Sequence, residues 1–382
     1  MKNKRLVMIP GPTPVTESIQ AQMGRATQAF GDQEFVADYK EVLGDLKSLW
    51  NLEGEIFVVS GSGTLGMEMA VANTLKSGDN LLIVSHGFFG DRFIELCERK
   101  GIICDVIAAE WGKIVPTSEI DAKLSSKQYQ AVTITHVDTA TGVKAPIDEI
   151  GEMMKKYPDT IYILDGVCST AAIDEDLKKY NIDLLLTGTQ KAFGVPPGLA
   201  IVWANEKTMK RRESLGTIPE YYADFYKWLP VMNDPSKYYA TPSVNLVWAL
   251  QESLRIIKEE GLQARYERHR KVGNAMQAAL EKLGFTVLAE VGHRAPTLSN
   301  VIYPDGIDDA KFRAMVYEEG IIVAGGLGAY AGKMFRIGHM GNADMHDLVA
   351  AIATIERTLY KMGKKDFELG SGVGTFLKGM ME

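Results

Sequence analysis

Two short stretches carry residue types that could act on one ligand. Leu164-Asp165-Gly166-Val167 closes one apolar run, and Thr187-Gly188-Thr189-Gln190-Lys191 closes another, which sets Lys191 26 positions after Asp165. If both runs are strands of a parallel sheet, their carboxyl ends converge on one crevice, where ligands bind in such sheets. Taken singly, Asp165 also reads as a turn or N-cap aspartate, and Lys191 as a solvated surface lysine. A third stretch, Ser60-Gly61-Ser62-Gly63-Thr64, leads from an apolar run into a helix-like segment, Leu65 to Leu75. Such a turn lets backbone N–H groups approach an anion, and the helix dipole favours negative charge there by about 0.3–1 kcal/mol. By itself it reads equally well as a tight connection.

Lysine, carboxylate and anion seat together match the needs of pyridoxal 5'-phosphate. The lysine forms an imine (Schiff base), and the carboxylate keeps the pyridine nitrogen protonated so that the ring can accept electrons. An opposite charge in contact shifts a pKa by about 1–3 units, or roughly 1.4–4 kcal/mol, enough to hold the ring cationic at neutral pH. The lysine has the opposite need. With an ordinary pKa of about 10.4 it is a poor nucleophile, and burial beside a cationic ring lowers it.

The elements that must position these groups are legible as hydrophobic rhythm. Apolar runs recur at Ile56–Val59, Leu81–Val84, Ile102–Ile107, Ala131–Thr135, Ile161–Leu164, Leu184–Leu186 and Leu199–Trp203. They are continuous rather than alternating, as in strands buried on both faces, and amphipathic stretches such as Gly90–Lys100 and Ile147–Lys156 suit crossover helices. The expectation is an α/β fold with a mostly parallel, helix-covered sheet. After about residue 240 the rhythm changes to long helical patterns at Ser243–Glu260 and Ala264–Leu283, ending at Gly261 and Gly284 where C-terminal caps belong. Strand-like Phe285–Leu288, Leu298–Tyr303 and Met334–Ile337 follow, so a smaller α+β domain is expected. The aromatic, proline-rich stretch Glu213–Lys237 lacks clean periodicity and reads as an ordered surface excursion. The expected division is an N-terminal segment 1–20, a large domain 21–255 and a small domain 256–382.

At 382 residues the chain has room for two cores. A net charge of −7 spread along the chain, with no long basic run, argues against nucleic acid. The apolar run after Met1-Lys2-Asn3-Lys4-Arg5 is too short for a signal peptide, and no stretch approaches a membrane span. Three cysteines without a CxxC pair suit a reduced, cytoplasmic setting, and the six histidines show no metal-ligand spacing.

These motifs, from Pro10-Gly11-Pro12-Thr13-Pro14 to Phe335-Arg336-Ile337-Gly338-His339-Met340-Gly341, occur in an order and spacing that resembles the class V aminotransferases of fold type I. Within them the likeness is to the alanine:glyoxylate and serine:pyruvate group. The resemblance implies a seven-stranded sheet and pyridoxal phosphate bound to Lys191. It further implies Gly63, Thr64 and Gln190 on the phosphate, Phe89 stacked on the ring, Val167 on its other face and Thr139 near its hydroxyl side. Asp165 pairs with the ring nitrogen, and Arg336, with Gly11, serves the substrate carboxylate. Tyr238 and Thr241 match positions that complete the phosphate site of a second subunit, which implies a homodimer with shared active sites.

Arg336 has an independent warrant, since a planar guanidinium binds a carboxylate through paired hydrogen bonds and is costly to bury in an apolar strand without such a partner. An arginine reaching solvent from an edge strand is the other reading. The implied reaction moves an amino group between alanine or serine and glyoxylate or pyruvate. A dicarboxylic donor such as aspartate would need a second cation, for which Arg25, Arg92 and Arg294 are unassigned. Relatives often read Gly-His-Arg where this chain has Gly31-Asp32-Gln33, so basic contacts made there are lacking, and Tyr221–Lys237 matches nothing in the family. A cysteine desulfurase would need a cysteine in the C-terminal domain, but none follows Cys168. A dehydrogenase would need GxGxxG, which SGSGT lacks. A non-catalytic relative that keeps the fold as a binding subunit would not need Asp165 and Lys191. His86, His136 and His339 read as polar supports of the matched motifs.

Overall fold

The computed structural model describes residues 5–382, so Met1 to Lys4 of the basic opening lie outside it. The seven apolar runs form one sheet: β1 (Gly54–Gly61), β2 (Asn80–Ser85), β3 (Ile103–Ala108), β4 (Ala131–Thr135), β5 (Ile161–Asp165), β6 (Leu184–Gly188) and β7 (Gly198–Asn205). Their spatial order is β1-β7-β6-β5-β4-β2-β3. Only β7 runs antiparallel to its neighbours, so the other six present their carboxyl ends at one edge. The register Thr135↔Asp165 and Asp165↔Leu186 places Asp165 between two neighbouring strand ends.

β2, β4, β5 and β6 are buried almost throughout, as continuous apolar runs require. The edge strand β3 departs from that expectation. It pairs only with β2, and Ile103 and Val106 remain 51% and 40% exposed because no further strand lies beyond them. The helix Gly63–Thr74 is apolar on nearly all sides and packs against β6 and β7 in the middle of the sheet.

Residues 213–237 correct a second expectation. They contain the helix Phe225–Asn233, N-capped by Asp224, whose carboxylate accepts from the Tyr226 N–H. Phe225, Trp228, Val231 and Met232 are buried in the main core, and the Phe225 ring stacks on Phe57 of β1 with 4.1 Å between centroids. Pro230 inside this short helix obscures its periodicity in sequence.

A second apolar cluster gathers Met8 with residues 272–376, including Phe285, Phe312 and Phe335. It lies on a four-stranded antiparallel sheet in the order Ala324–Gly325, Met334–Gly338, Leu298–Ile302, Thr286–Val287. Leu6–Val7 adds to Ile321–Ile322, a short pairing that sequence reading does not resolve. From there the chain crosses to the large sheet, where Thr13 N–H donates to the Gln190 carbonyl at 3.1 Å and the Thr13 hydroxyl to the Lys191 carbonyl at 2.7 Å. The N-terminal segment thereby ties the second cluster to the edge that carries Lys191.

Candidate active site

A cavity of about 210 Å³ opens at the carboxyl edge of the large sheet, lined by Gly11, Gly63, Thr64, Phe89, Thr139, Asp165, Val167, Gln190 and Lys191. Nine of the residues singled out in sequence therefore share one space. Lys191 follows β6 and is only 7% exposed. Its Nζ meets a hydroxyl and a sulfur rather than a carboxylate: Thr139 Oγ1 at 3.3 Å and Cys168 Sγ at 3.9 Å. Burial, and then the charge of Arg336, hold its pKa below the ordinary lysine range. A lysine in that state is a ready nucleophile and proton acceptor.

Asp165 ends β5 and is also buried; its Oδ1 accepts from the Val167 N–H at 3.0 Å. Burial raises its carboxyl pKa to about 7, helped by the nearby charges of Asp138 and Glu175 and opposed by that of Lys191. A cation brought to this carboxylate would restore its ionised form. Gly63 begins its helix directly beside Val167: a Cβ there would lie 2.7 Å from Val167 Cγ2, so only glycine admits this approach. The N-cap Ser62 makes no side-chain cap hydrogen bond, which leaves first-turn N–H groups for an anion. Gln190 Oε1 is buried without a partner at the same wall.

Sequence reading overlooked Asp138, although its place inside His136-Val137-Asp138-Thr139-Ala140 suits a side chain that bonds nearby backbone. Its Oδ2 accepts from the N–H groups of Phe89 and Gly90 at 2.9 and 3.2 Å, and its Oδ1 from Ala140 at 2.8 Å. This buried carboxylate fastens the Phe89 wall to the Thr139 wall. Among the three unassigned arginines, only Arg92 lines the cavity. It donates to Thr64 Oγ1 at 3.0 Å and lies 4.8 Å from the Phe89 ring centroid. Arg25 lies over Trp248, and Arg294 pairs with Glu281.

Arg336 is set back from the cavity lining. Its Nε donates to the Gly325 carbonyl at 2.8 Å and its Nη1 to the Thr139 carbonyl at 3.3 Å, so it reaches Lys191 through Thr139. A guanidinium has five N–H donors, which leaves capacity for a carboxylate. Tyr238 and Thr241 do not line this cavity. Tyr238 is 62% exposed, its hydroxyl lies 3.4 Å from Thr241 Oγ1 and its ring packs on Phe30. Among the described residues no group of three or more His, Cys, Asp or Glu could hold a metal ion, and no helix is long and apolar enough to cross a membrane.

Known proteins resemble this chain over nearly its whole length. The serine–glyoxylate aminotransferase of Hyphomicrobium methylovorum is 31% identical, over 96% of this chain and 92% of that protein. A protein named soluble hydrogenase, small subunit, from Synechococcus sp. is 32% identical over 98% and 97%. Among solved structures, ureidoglycine-glyoxylate aminotransferase from Bacillus subtilis superposes with a TM-score of 0.95 at 26% identity, covering 100% of this chain and 99% of that one. The sequence profile of class-V aminotransferases matches residues 14–342, and the chain belongs to that family.

Proposed function

We propose that the protein binds pyridoxal 5'-phosphate at Lys191 and moves amino groups between alanine or serine and glyoxylate or pyruvate. The observation that carries this reading is Lys191 itself: a buried lysine of depressed pKa, hydrogen-bonded to no carboxylate, in one cavity with Asp165 and a glycine-opened helix N-terminus. The residues present suit the group. Gly63, Thr64 and Gln190 would hold its phosphate, with Arg92 beside Thr64, and Phe89 and Val167 would flank its ring.

The cofactor supplies an electron sink for the pair left at the substrate's Cα. Lys191 Nζ would anchor it and, as the free amine, would carry the proton from the substrate's Cα to the cofactor's C4' carbon. Asp165 would hold the proton on the ring nitrogen, Thr139 would orient Lys191, and Arg336 would grip the substrate carboxylate. Gly11 brings the N-terminal segment against the lysine. Residues 1–20 thus serve the site, with 21–255 as the cofactor-holding domain and 256–382 as the domain that presents Arg336. Exposed Tyr238 and Thr241 are assigned to the site of a second copy in a homodimer, and a cytoplasmic setting fits the unpaired cysteines.

A small donor is favoured because Arg92 is engaged with Thr64 at the anion seat, which leaves Arg336 as the cation for one carboxylate. Single half-reactions with an amino-acid panel test this: serine or alanine should convert the bound cofactor faster than aspartate or glutamate, and the reverse order would refute the assignment. The relative named as a hydrogenase subunit favours a second reading, a subunit without its own chemistry. Protein that stays colourless after addition of pyridoxal phosphate would favour that reading.

A further inference from the structure

A second buried carboxylate stands close to Asp165 and has no part in the reaction as described. Glu175 is fully buried; its Oε1 lies 2.5 Å from His136 Nδ1 and its Oε2 accepts from the Thr170 hydroxyl at 2.6 Å. His136 is buried as well, and its backbone N–H donates to the Asp165 carbonyl at 2.9 Å. Glu175 Oε2 is 2.9 Å from the place a Cβ would take on Gly166, the residue next to Asp165. The pair therefore underlies the turn that presents Asp165. His136 also lines a separate cavity of about 330 Å³, shared with Lys144, Asp148, Asp174 and His293.

A buried ion pair is weak evidence for stability, since apolar residues of similar volume often serve the fold as well or better. We propose that His136 and Glu175 form a positioning pair for Asp165, with the Glu175 charge setting how readily Asp165 and the ring nitrogen hold their shared proton. The inference rests on the assignment of Asp165 to that nitrogen. Asp165 is faced by Glu175, Asp138 and Lys191. Glu175 also bears on Tyr162 of β5 and Tyr266 of the helix Leu262–Lys282, both pushed up mainly by burial and in part by this carboxylate. Asp174 adds to the same field at Tyr266.

The test is the pyridoxal phosphate dissociation constant between pH 5 and 9 for wild type, Glu175→Gln and Glu175→Asp. Binding needs ionised Asp165, so affinity is lost as pH falls through an acid limb. Glu175→Gln removes a like charge and should move that limb down by roughly half a pH unit or more, while Glu175→Asp should stay near wild type. Uniform weakening at every pH with the limb unmoved would overturn the proposal and leave the pair as structural support. Carboxyl 13C signals of the cofactor-free protein give a readout without cofactor. The Asp165 signal should respond at lower pH in Glu175→Gln than in wild type, and an unmoved response would overturn the coupling. Wild type that binds no cofactor at any pH would refute the cofactor assignment itself, a result distinct from an unmoved limb.

Discussion

Gly11→Ala isolates the contact between the N-terminal segment and the reactive lysine. Gly11 has φ +140°, a conformation that side-chain-bearing residues rarely adopt, and a Cβ placed there would lie 2.6 Å from Lys191 Cδ and 2.7 Å from Cε. Ordinary contact begins at 3.4 Å, so the lysine would have to retreat by about 0.8 Å. Two costs of different kind follow. The backbone strain, of order 1–3 kcal/mol, falls on folding. The displacement falls on chemistry, where about 1 Å of misplacement costs roughly 100-fold. Denaturant unfolding and the rate of appearance of the visible band on adding pyridoxal phosphate separate them. Gly31→Ala, with nothing within 4 Å of its Cβ position, is the control and should match wild type in both. If Gly11→Ala captured cofactor at the wild-type rate, Gly11 would not constrain Lys191 and the reasoning would fail.

Four further outcomes are expected. Asp165→Asn should cut transamination by about 10- to 1,000-fold, because 1–3 units of support for the ring proton are lost. The same change should stabilise the cofactor-free protein at pH 8 but not at pH 4. The folded carboxyl titrates near 7 against about 3.9 unfolded, so between those values the folded state binds more protons and wild-type stability declines as pH rises. Phe225→Ala should cost about 3–5 kcal/mol in urea unfolding, whereas a surface segment would yield almost nothing. Arg265→Met should cost about 1–3 kcal/mol for each buried carbonyl it strips of a donor, those of Ala171 and Ala192, while Glu260 keeps Arg268, read in the same assay.

What the sequence disclosed depended on whether a feature is local. Each of the seven strands has an apolar stretch that marks it, and Asp165 and Lys191 stand at or just past strand ends, so their convergence follows once the sheet is parallel. The helix Phe225–Asn233 stayed hidden because it is short, carries Pro230 and owes its burial to Phe57, 168 positions away. Asp138 was hidden for a similar reason: two of its three backbone partners belong to the Phe88–Lys100 helix. Glu175 gave no signal at all, because an acidic residue in Asp174-Glu175-Asp176 reads as solvated surface until the fold sets it against His136. Exposure at β3 likewise depends on its being the last strand, which strand order alone decides.

The central claim is that Lys191 Nζ carries the cofactor. Borohydride reduction of protein incubated with pyridoxal phosphate, followed by peptide mass spectrometry, tests it most directly. One phosphopyridoxyl group should appear on the peptide containing Lys191, and none there in Lys191→Ala. Label on other lysines with Lys191 unmodified, or no label despite saturating cofactor, would contradict it.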